Sequence, residues 1–223
     1  MKLTAIIPAR AGSKRLPNKN MKLIAGKPLI GWTIEAANES ELFDEIIIST
    51  DCEDVKNFSE EQGLSVPTFR PKNLCKDNTY AIEVILYHIN KNKLDEVCYL
   101  QPTSPLRDSD DILESYKLFK KKNANAVVSV QDLGIPFRWI GDPKEEFGNY
   151  LSQITTDRSQ DLRSAMVLNG AIYWFKSEAV VKYGNHLMSN NSYPYTMPRE
   201  KSIDIDTLED FMLAEYLIKK GFE

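Results

Sequence analysis

Residues 3–20 read LTAIIPARAGSKRLPNKN. The apolar run Leu3 to Ile7 stops at Pro8. It passes into a loop that carries Arg10, Lys14, Arg15 and Lys19, has Gly12 in its middle and contains no acidic residue. A short apolar run bounded by polar signals reads as a buried parallel strand. A buried strand that ends in a basic, glycine-containing loop is a good grip for a polyphosphate. Its N–H groups can turn toward an anion, and Arg and Lys neutralise the charge. Charge alone does not separate that use from a plain solvated loop.

Outward from this stretch, strand-like and helix-like segments alternate. Glu45–Thr50 (EIIIST), with Asp51 at its end, reads as a second buried strand, and Glu96–Leu100 (EVCYL) as another. Shorter strands are expected at 66–69, 126–130 and 171–175. Helices are expected after Lys27-Pro28, over 55–62 with Gly63 as a stop, around Ile82, Ile85, Leu86 and Ile89, after Asp108 or Ser109, and around Phe211, Ala214 and Ile218. Strands separated by helices imply βαβ units and a mostly parallel sheet with functional loops at the carboxyl ends of its strands. The expected class is therefore α/β, Rossmann-like, in a single domain over 1–223. Residues 131–168 break the rhythm with Gly134, Pro136, Gly141, Pro143 and Gly148 and no helical period. A stretch of that length is usually an interaction element, and it reads as an inserted hairpin arm.

The composition of the 223 residues, 42% hydrophobic and 27% charged, suits a globular chain with a proper core. A net charge of −4 argues against nucleic acid as a partner. No apolar stretch approaches the ~20 residues a bilayer requires, and the chain enters its first strand directly after Met1-Lys2. Cys52, Cys75 and Cys98 are widely spaced, without a C-x-x-C pair. Reduced thiols and a cytoplasmic location are the expectation. His88 falls on a helix as a surface or packing residue, and His186 is far from it in sequence, so no histidine-based catalytic signature is visible.

A second constellation lies at 202–207, SIDIDT. If extended, it places Asp204 and Asp206 on one face, and two carboxylates together invite a cation. Mg²⁺ accepts one or two carboxylates plus substrate phosphates. Asp206 could equally start the last helix, because Glu209 follows at capping-box spacing. Gln101-Pro-Thr-Ser-Pro-Leu-Arg107 follows a buried strand directly. Its prolines stiffen the backbone that presents Gln101, whose amide can donate and accept. Neither G-x-G-x-x-G nor G-x-x-x-x-G-K-[ST] occurs.

Taken in order, IIPARAGSKRLPNKN, the STD at 49–51, Arg70-Pro71, Asp77, LQPTSPLR at 100–107, NGAIY at 169–173 and SIDIDT resemble the acylneuraminate cytidylyltransferases, the CMP-sialic acid synthetases. The resemblance implies an enzyme that uses CTP and Mg²⁺ to convert a nine-carbon 2-keto acid sugar to its CMP ester, releasing pyrophosphate. N-acetylneuraminate is the expected sugar. Legionaminate, pseudaminate or Kdo, and an inactive nucleotide-binding relative, are the alternatives. Carried over by position, Arg10, Gly12, Ser13, Lys14, Lys19 and Asn20 form the nucleotide loop, and Arg70 and Asp77 fall in segments lining the cytidine pocket. Gln101, Thr103, Ser104 and Asn169 fall to the sugar, with Arg138 and Arg163 near its carboxylate. Asp204 and Asp206 fall to the metal. Arg10, Lys14, Lys19 and Asp206 would carry catalysis. The family's arm exchanges between subunits of a homodimer, and 131–168 is its counterpart. The chain departs from the pattern at Met166-Val167-Leu168, where many relatives carry Arg-Pro.

Overall fold

The computed structural model describes residues 2–137, 140, 158, 161–185 and 190–221. Its centre is a six-stranded sheet built from β1 (Leu3–Ala9), β4 (Glu45–Thr50), β5 (Glu96–Tyr99), β6 (Ala126–Pro136), β7 (Ser164–Lys176) and β8 (Ser192–Met197). The spatial order is β4-β1-β5-β7-β6-β8, and β7 alone runs against the others. A two-stranded ribbon, β2 (Leu23–Ile24) with β3 (Lys27–Pro28), stands apart. The helices are α1 (Leu29–Glu39), α2 (Glu53–Glu61), α3 (Ala81–Asn92), α4 (Ser109–Lys121), α5 (Ser177–Tyr183) and α6 (Leu208–Lys220).

The pleat of β1 explains why its sequence is apolar throughout. Ala5, Ile7 and Ala9 face one layer, with Ile30 and Ile34 of α1, Val55 of α2 and Phe119 of α4. Ile6 faces the other, with Ile85 and Ile89 of α3 and Val180 of α5. A strand covered on both faces has no polar side to show. The expected mostly parallel α/β sheet is present.

A third, smaller core positions the site. Leu16 of the basic loop, Leu106 after β5, Ile205 between the two aspartates and Phe211 and Ala214 of α6 pack together with Ile24 and Leu29. Segments distant in sequence are thereby fixed against one another by apolar burial.

Three element boundaries differ from the sequence expectation. Residues 66–69 form no strand. Pro67 removes a ladder donor, and backbone pairing with β4 is limited to Arg70 N–H on Thr50 O at 2.6 Å. β8 was not legible, since Pro194 lies within it. The strand is at the sheet edge, where proline is tolerated. β6 and β7 outrun their apolar runs and stay paired from Ala126↔Phe175 to Pro136↔Ser164. The described ends of the 131–168 segment are thus the base of an antiparallel ribbon, and most of its middle lies outside the described residues. Among the described residues no helix is long and apolar enough to cross a membrane.

Candidate active site

The basic loop leaves β1 at the carboxyl edge of the sheet and is held by hydrogen bonds rather than by regular structure. Asp51, at the end of β4, accepts from Ala11 N–H at 2.8 Å. Asn20 Nδ2 donates to Arg10 O at 3.1 Å, and Leu16 anchors the far side in the third core. A Cβ added to Gly12 would make only ordinary contact, 3.9 Å from Arg10 Nη1.

Arg10, Ser13, Lys14, Arg15, Lys19, Asn20, Asp77, Gln101, Thr103 and Asp206 line one cleft of about 430 Å³. The structure brings together most residues singled out in the sequence. Arg70 borders an adjoining cavity of about 200 Å³ that shares Pro8 and Arg10 with the cleft and adds Thr79, Ala81 and Tyr99. Tyr99, Thr79 and Ala81 had no sequence signal as site residues. They reach it because β5 neighbours β1 and because α3 starts here.

The cations of the loop are pre-paired. Asp77 accepts from Arg10 Nη1 at 2.8 Å and from Lys14, and these two bonds hold its carboxyl below the usual range. Asp206 takes Arg15 at 3.0 Å and Lys19 at 3.3 Å. Lys19 also donates to Ile205 O at 2.6 Å, tying the loop to the aspartate segment. Ile205 N–H in turn donates to Thr103 O at 2.8 Å. Arg15 therefore belongs to the site, although sequence reading gave it no role beyond the basic charge.

Asp204 lies across from Gly170. A Cβ at Gly170, whose φ is +79°, would sit 3.4 Å from Asp204 Oδ2 and 3.8 Å from Gln101 Nε2. These are ordinary contact distances, and the positive φ is the reason for a glycine in Asn169-Gly170-Ala171. Burial of the carboxyl raises the Asp204 pKa, with the charges of Asp206 and Asp210 adding to it and Thr103 and Lys19 opposing. A carboxylate with accessible surface that is nonetheless packed among protein atoms and beside a second one is short of positive charge. Asp206 does not cap α6. Thr207 does, accepting from Asp210 N–H, while Asp210 accepts from the N–H groups of Asp206 and Thr207. The alternative of Asp206 and Glu209 as a capping box is thereby corrected. Two carboxylates, one of them relieved of the helix terminus, fit a hard cation that takes its remaining ligands from a substrate. Among the described residues no third carboxylate, His or Cys joins them.

Other expected residues stand apart from the cleft lining. Ser104 is fully buried. Asn169 is buried, with its amide bonded to Ser129, Ser202 and the Met197 sulfur, so contact with a sugar would require those bonds to be exchanged. Arg163 is exposed at the ribbon base, away from the cleft lining. Arg138 lies outside the described residues. Gln101 is at the cleft, its Nε2 3.5 Å from the Tyr173 hydroxyl. Arg107 behind it is buried and donates to the carbonyls of Gln101 and Ala171, joining two walls of the site.

An α/β sheet with a basic loop after its first strand, and an aspartate pair of which Asp206 is ion-paired to that loop, is the architecture of a nucleotidyltransferase. The cytidylyltransferase family model matches residues 4–216, and the chain belongs to that family. It is 37% identical to the N-acylneuraminate cytidylyltransferase of Escherichia coli O18:K1:H7 over 96% of this chain and 51% of that one. It thus spans about half the length of that relative. It is 34% identical to the CMP-N,N'-diacetyllegionaminic acid synthase of Legionella pneumophila, with 100% of this chain and 99% of that one aligned. Among solved structures, a CMP:2-keto-3-deoxy-manno-octonic acid synthetase complexed with CTP superposes with a TM-score of 0.74 at 17% identity, each chain covered completely. That likeness supports the fold.

Proposed function

We propose that this chain transfers CMP from CTP to the anomeric hydroxyl of a nine-carbon 2-keto acid sugar, N-acetylneuraminate first among them, and releases pyrophosphate. The observation that carries the reading is the gathering of Arg10, Lys14, Arg15 and Lys19 opposite Asp206 and Gln101 in one cleft. The cavity bordered by Arg70 and Tyr99 is the place for the base, and the loop cations are the place for the phosphates. The sugar hydroxyl attacks the α-phosphorus in line. Its oxygen–phosphorus bond forms as the bond to the bridging oxygen of the β-phosphate breaks, and its proton passes to water. Chemistry of this kind depends on positioning and charge stabilisation. Arg10, Lys14 and Lys19 hold the phosphates and meet the charge of the leaving pyrophosphate. Gln101 orients the sugar. Mg²⁺, when bound by Asp204 and Asp206, would neutralise phosphate charge and favour ionisation of the attacking hydroxyl.

Legionaminate and pseudaminate are the second reading. It is favoured by the whole-length match to the Legionella enzyme and by 33% identity to a Campylobacter jejuni pseudaminic acid cytidylyltransferase, of which 99% is covered. A cytoplasmic location is part of the proposal and is in keeping with the use of CTP. We further propose a homodimer formed through the arm, as Ile135, Phe137, Met166, Val167 and Leu168 at its base are exposed. Pyrophosphate release from CTP and Mg²⁺, assayed with N-acetylneuraminate, legionaminate, pseudaminate and Kdo, tests the proposal. Turnover is expected with a nine-carbon acid. Release with none of the four sugars would overturn the reading, and release with Kdo alone would overturn the choice of sugar.

A further inference from the structure

Arg70 is a buried cation, 6% exposed, with no carboxylate at ion-pair distance among the described residues. Burial lowers its pKa. An uncompensated buried charge is costly, so the groups that hold it bear on its use. Its Nε donates to Ser49 Oγ at 3.0 Å and its Nη2 to Ser49 O, both at the end of β4. Nη1 has no hydrogen-bond partner among the described residues, which leaves it for a ligand. Arg70 borders the cavity assigned above to the base, opposite Pro8 and Tyr99.

Behind Ser49 stands His88 of α3, also 6% exposed, with Nε2 2.7 Å from the same Ser49 Oγ. A hydroxyl has one proton to give. Ser49 Oγ receives the Arg70 Nε–H and keeps its own proton to give, with His88 Nε2 within reach to take it. That requires a neutral imidazole with its proton on Nδ1. Burial, with Arg70 and Lys91 adding to it, pushes the His88 pKa down to about 4, so the ring is neutral near pH 7. Among the described residues Nδ1 has no hydrogen-bond partner, and Ser49 is the one hydrogen-bond partner of the ring. With the ring proton on Nδ1, donation runs from guanidinium to hydroxyl to imidazole.

We infer that His88 is a positioning residue for nucleotide selection: as an acceptor through Nε2 it orients the Ser49 hydroxyl, which aims the Arg70 guanidinium at an acceptor atom of the base. The proposal rests on the reading of the Arg70 cavity as the base site. Without the imidazole the Ser49 proton is free to rotate toward the guanidinium. Arg70 then loses its Nε acceptor and the fixed angle of Nη1. His88 touches no substrate in this scheme, so its effect falls on nucleotide affinity and choice, and the chemical step is left intact.

Steady-state kinetics and calorimetric binding with CTP and UTP, on wild type, His88→Leu, His88→Gln and Arg70→Lys, test it. His88→Leu is expected to raise KM and Kd for CTP about tenfold, the worth of one hydrogen bond to a charged group. Its kcat should stay within about threefold, and its preference for CTP over UTP should fall in proportion. His88→Gln, which keeps an acceptor, should recover most of both. A folded His88→Leu variant with wild-type KM and nucleotide preference would overturn the proposal. So would losses equal for CTP and UTP, or a His88→Gln variant no better than Leu, since these mark a packing role. Arg70→Lys separates the two levels. If it leaves CTP affinity and preference unchanged, the base-site reading itself fails; if it shifts them and His88→Leu does not, only the role of His88 falls.

Discussion

At the scale of single residues, the cleft holds its cations already neutralised. Asp77 occupies Arg10 and Lys14, and Asp206 occupies Arg15 and Lys19. An anion that enters must compete with both carboxylates, so a residue that lines the nucleotide site need not hold the nucleotide. Asp77→Asn removes one competing charge a few ångströms from the phosphate position. It is expected to tighten inhibition by pyrophosphate about fivefold, the worth of one near charge at high effective dielectric. Product-inhibition kinetics give the sign, and weaker inhibition would mean that Asp77 serves chiefly to hold Arg10 in place. Arg10→Ala, in contrast, takes away a donor expected to strengthen as charge moves to the leaving group, and kcat/KM should fall by roughly 10²–10³. Wild-type turnover in that variant would remove the loop from the mechanism. The cations and aspartates were legible in the sequence because like charges at short spacing are informative by themselves. The burial of Asn169 and the chain from Arg70 through Ser49 to His88 were not. They depend on β4, α3 and the 65–70 segment meeting, which no local pattern encodes.

At the scale of elements, the sheet and most helices were legible because a strand covered on both faces must be apolar along its length, as β1, β4 and β5 nearly are. The reading failed where a local rule met a long-range one. An apolar run at 66–69 was denied a ladder by Pro67, and β8 carries Pro194 yet pairs at an edge. The start of α6 shows how close a cap and a ligand can lie. Thr207 and Asp210 satisfy the helix terminus reciprocally, which frees the Asp206 carboxylate for the cleft. The two functions should separate by mutation. Thr207→Ala should lower stability by about 1 kcal/mol, a fall in Tm of roughly 2–4 °C for a chain of this size, with the Mg²⁺ titration of activity unchanged. Asp206→Asn should shift that titration to higher Mg²⁺ and leave Tm nearly where it was, because partly exposed ion pairs contribute little. Thermal melts and Mg²⁺ titrations on both variants check this, and a reversal of the pattern would return Asp206 to a structural role.

At the scale of the whole molecule, the ribbon formed by the ends of β6 and β7 is not self-sufficient. Met166, Val167 and Leu168 are consecutive and all exposed. Successive strand residues point to opposite faces, so apolar side chains are exposed on both faces, at Val167 and Leu168 where β6 still pairs with β8 and at Met166 where the ribbon becomes two-stranded. An isolated two-stranded ribbon is marginal in water, and one with apolar side chains on both faces needs cover. Ile135 of β6 and Phe137 just beyond its end are exposed as well. A second copy supplies a matching ribbon by symmetry, which makes a two-fold dimer the simplest cover. The wild-type chain is therefore expected to show the mass of a dimer by light scattering. Met166→Lys with Leu168→Glu places charge at i and i+2 on one ribbon face without altering β7 where it pairs with β5. That variant should sediment as a monomer with a near-native melt, since the three cores of the domain lie elsewhere. A wild-type monomer at micromolar concentration, or an unchanged dimer in the double variant, would place the self-contact on another surface. If the sugar site is completed from the partner's arm, the monomeric variant should bind CTP normally and lose turnover with the sugar. That dissociation of the two substrates is measurable on the same samples by calorimetry and pyrophosphate release.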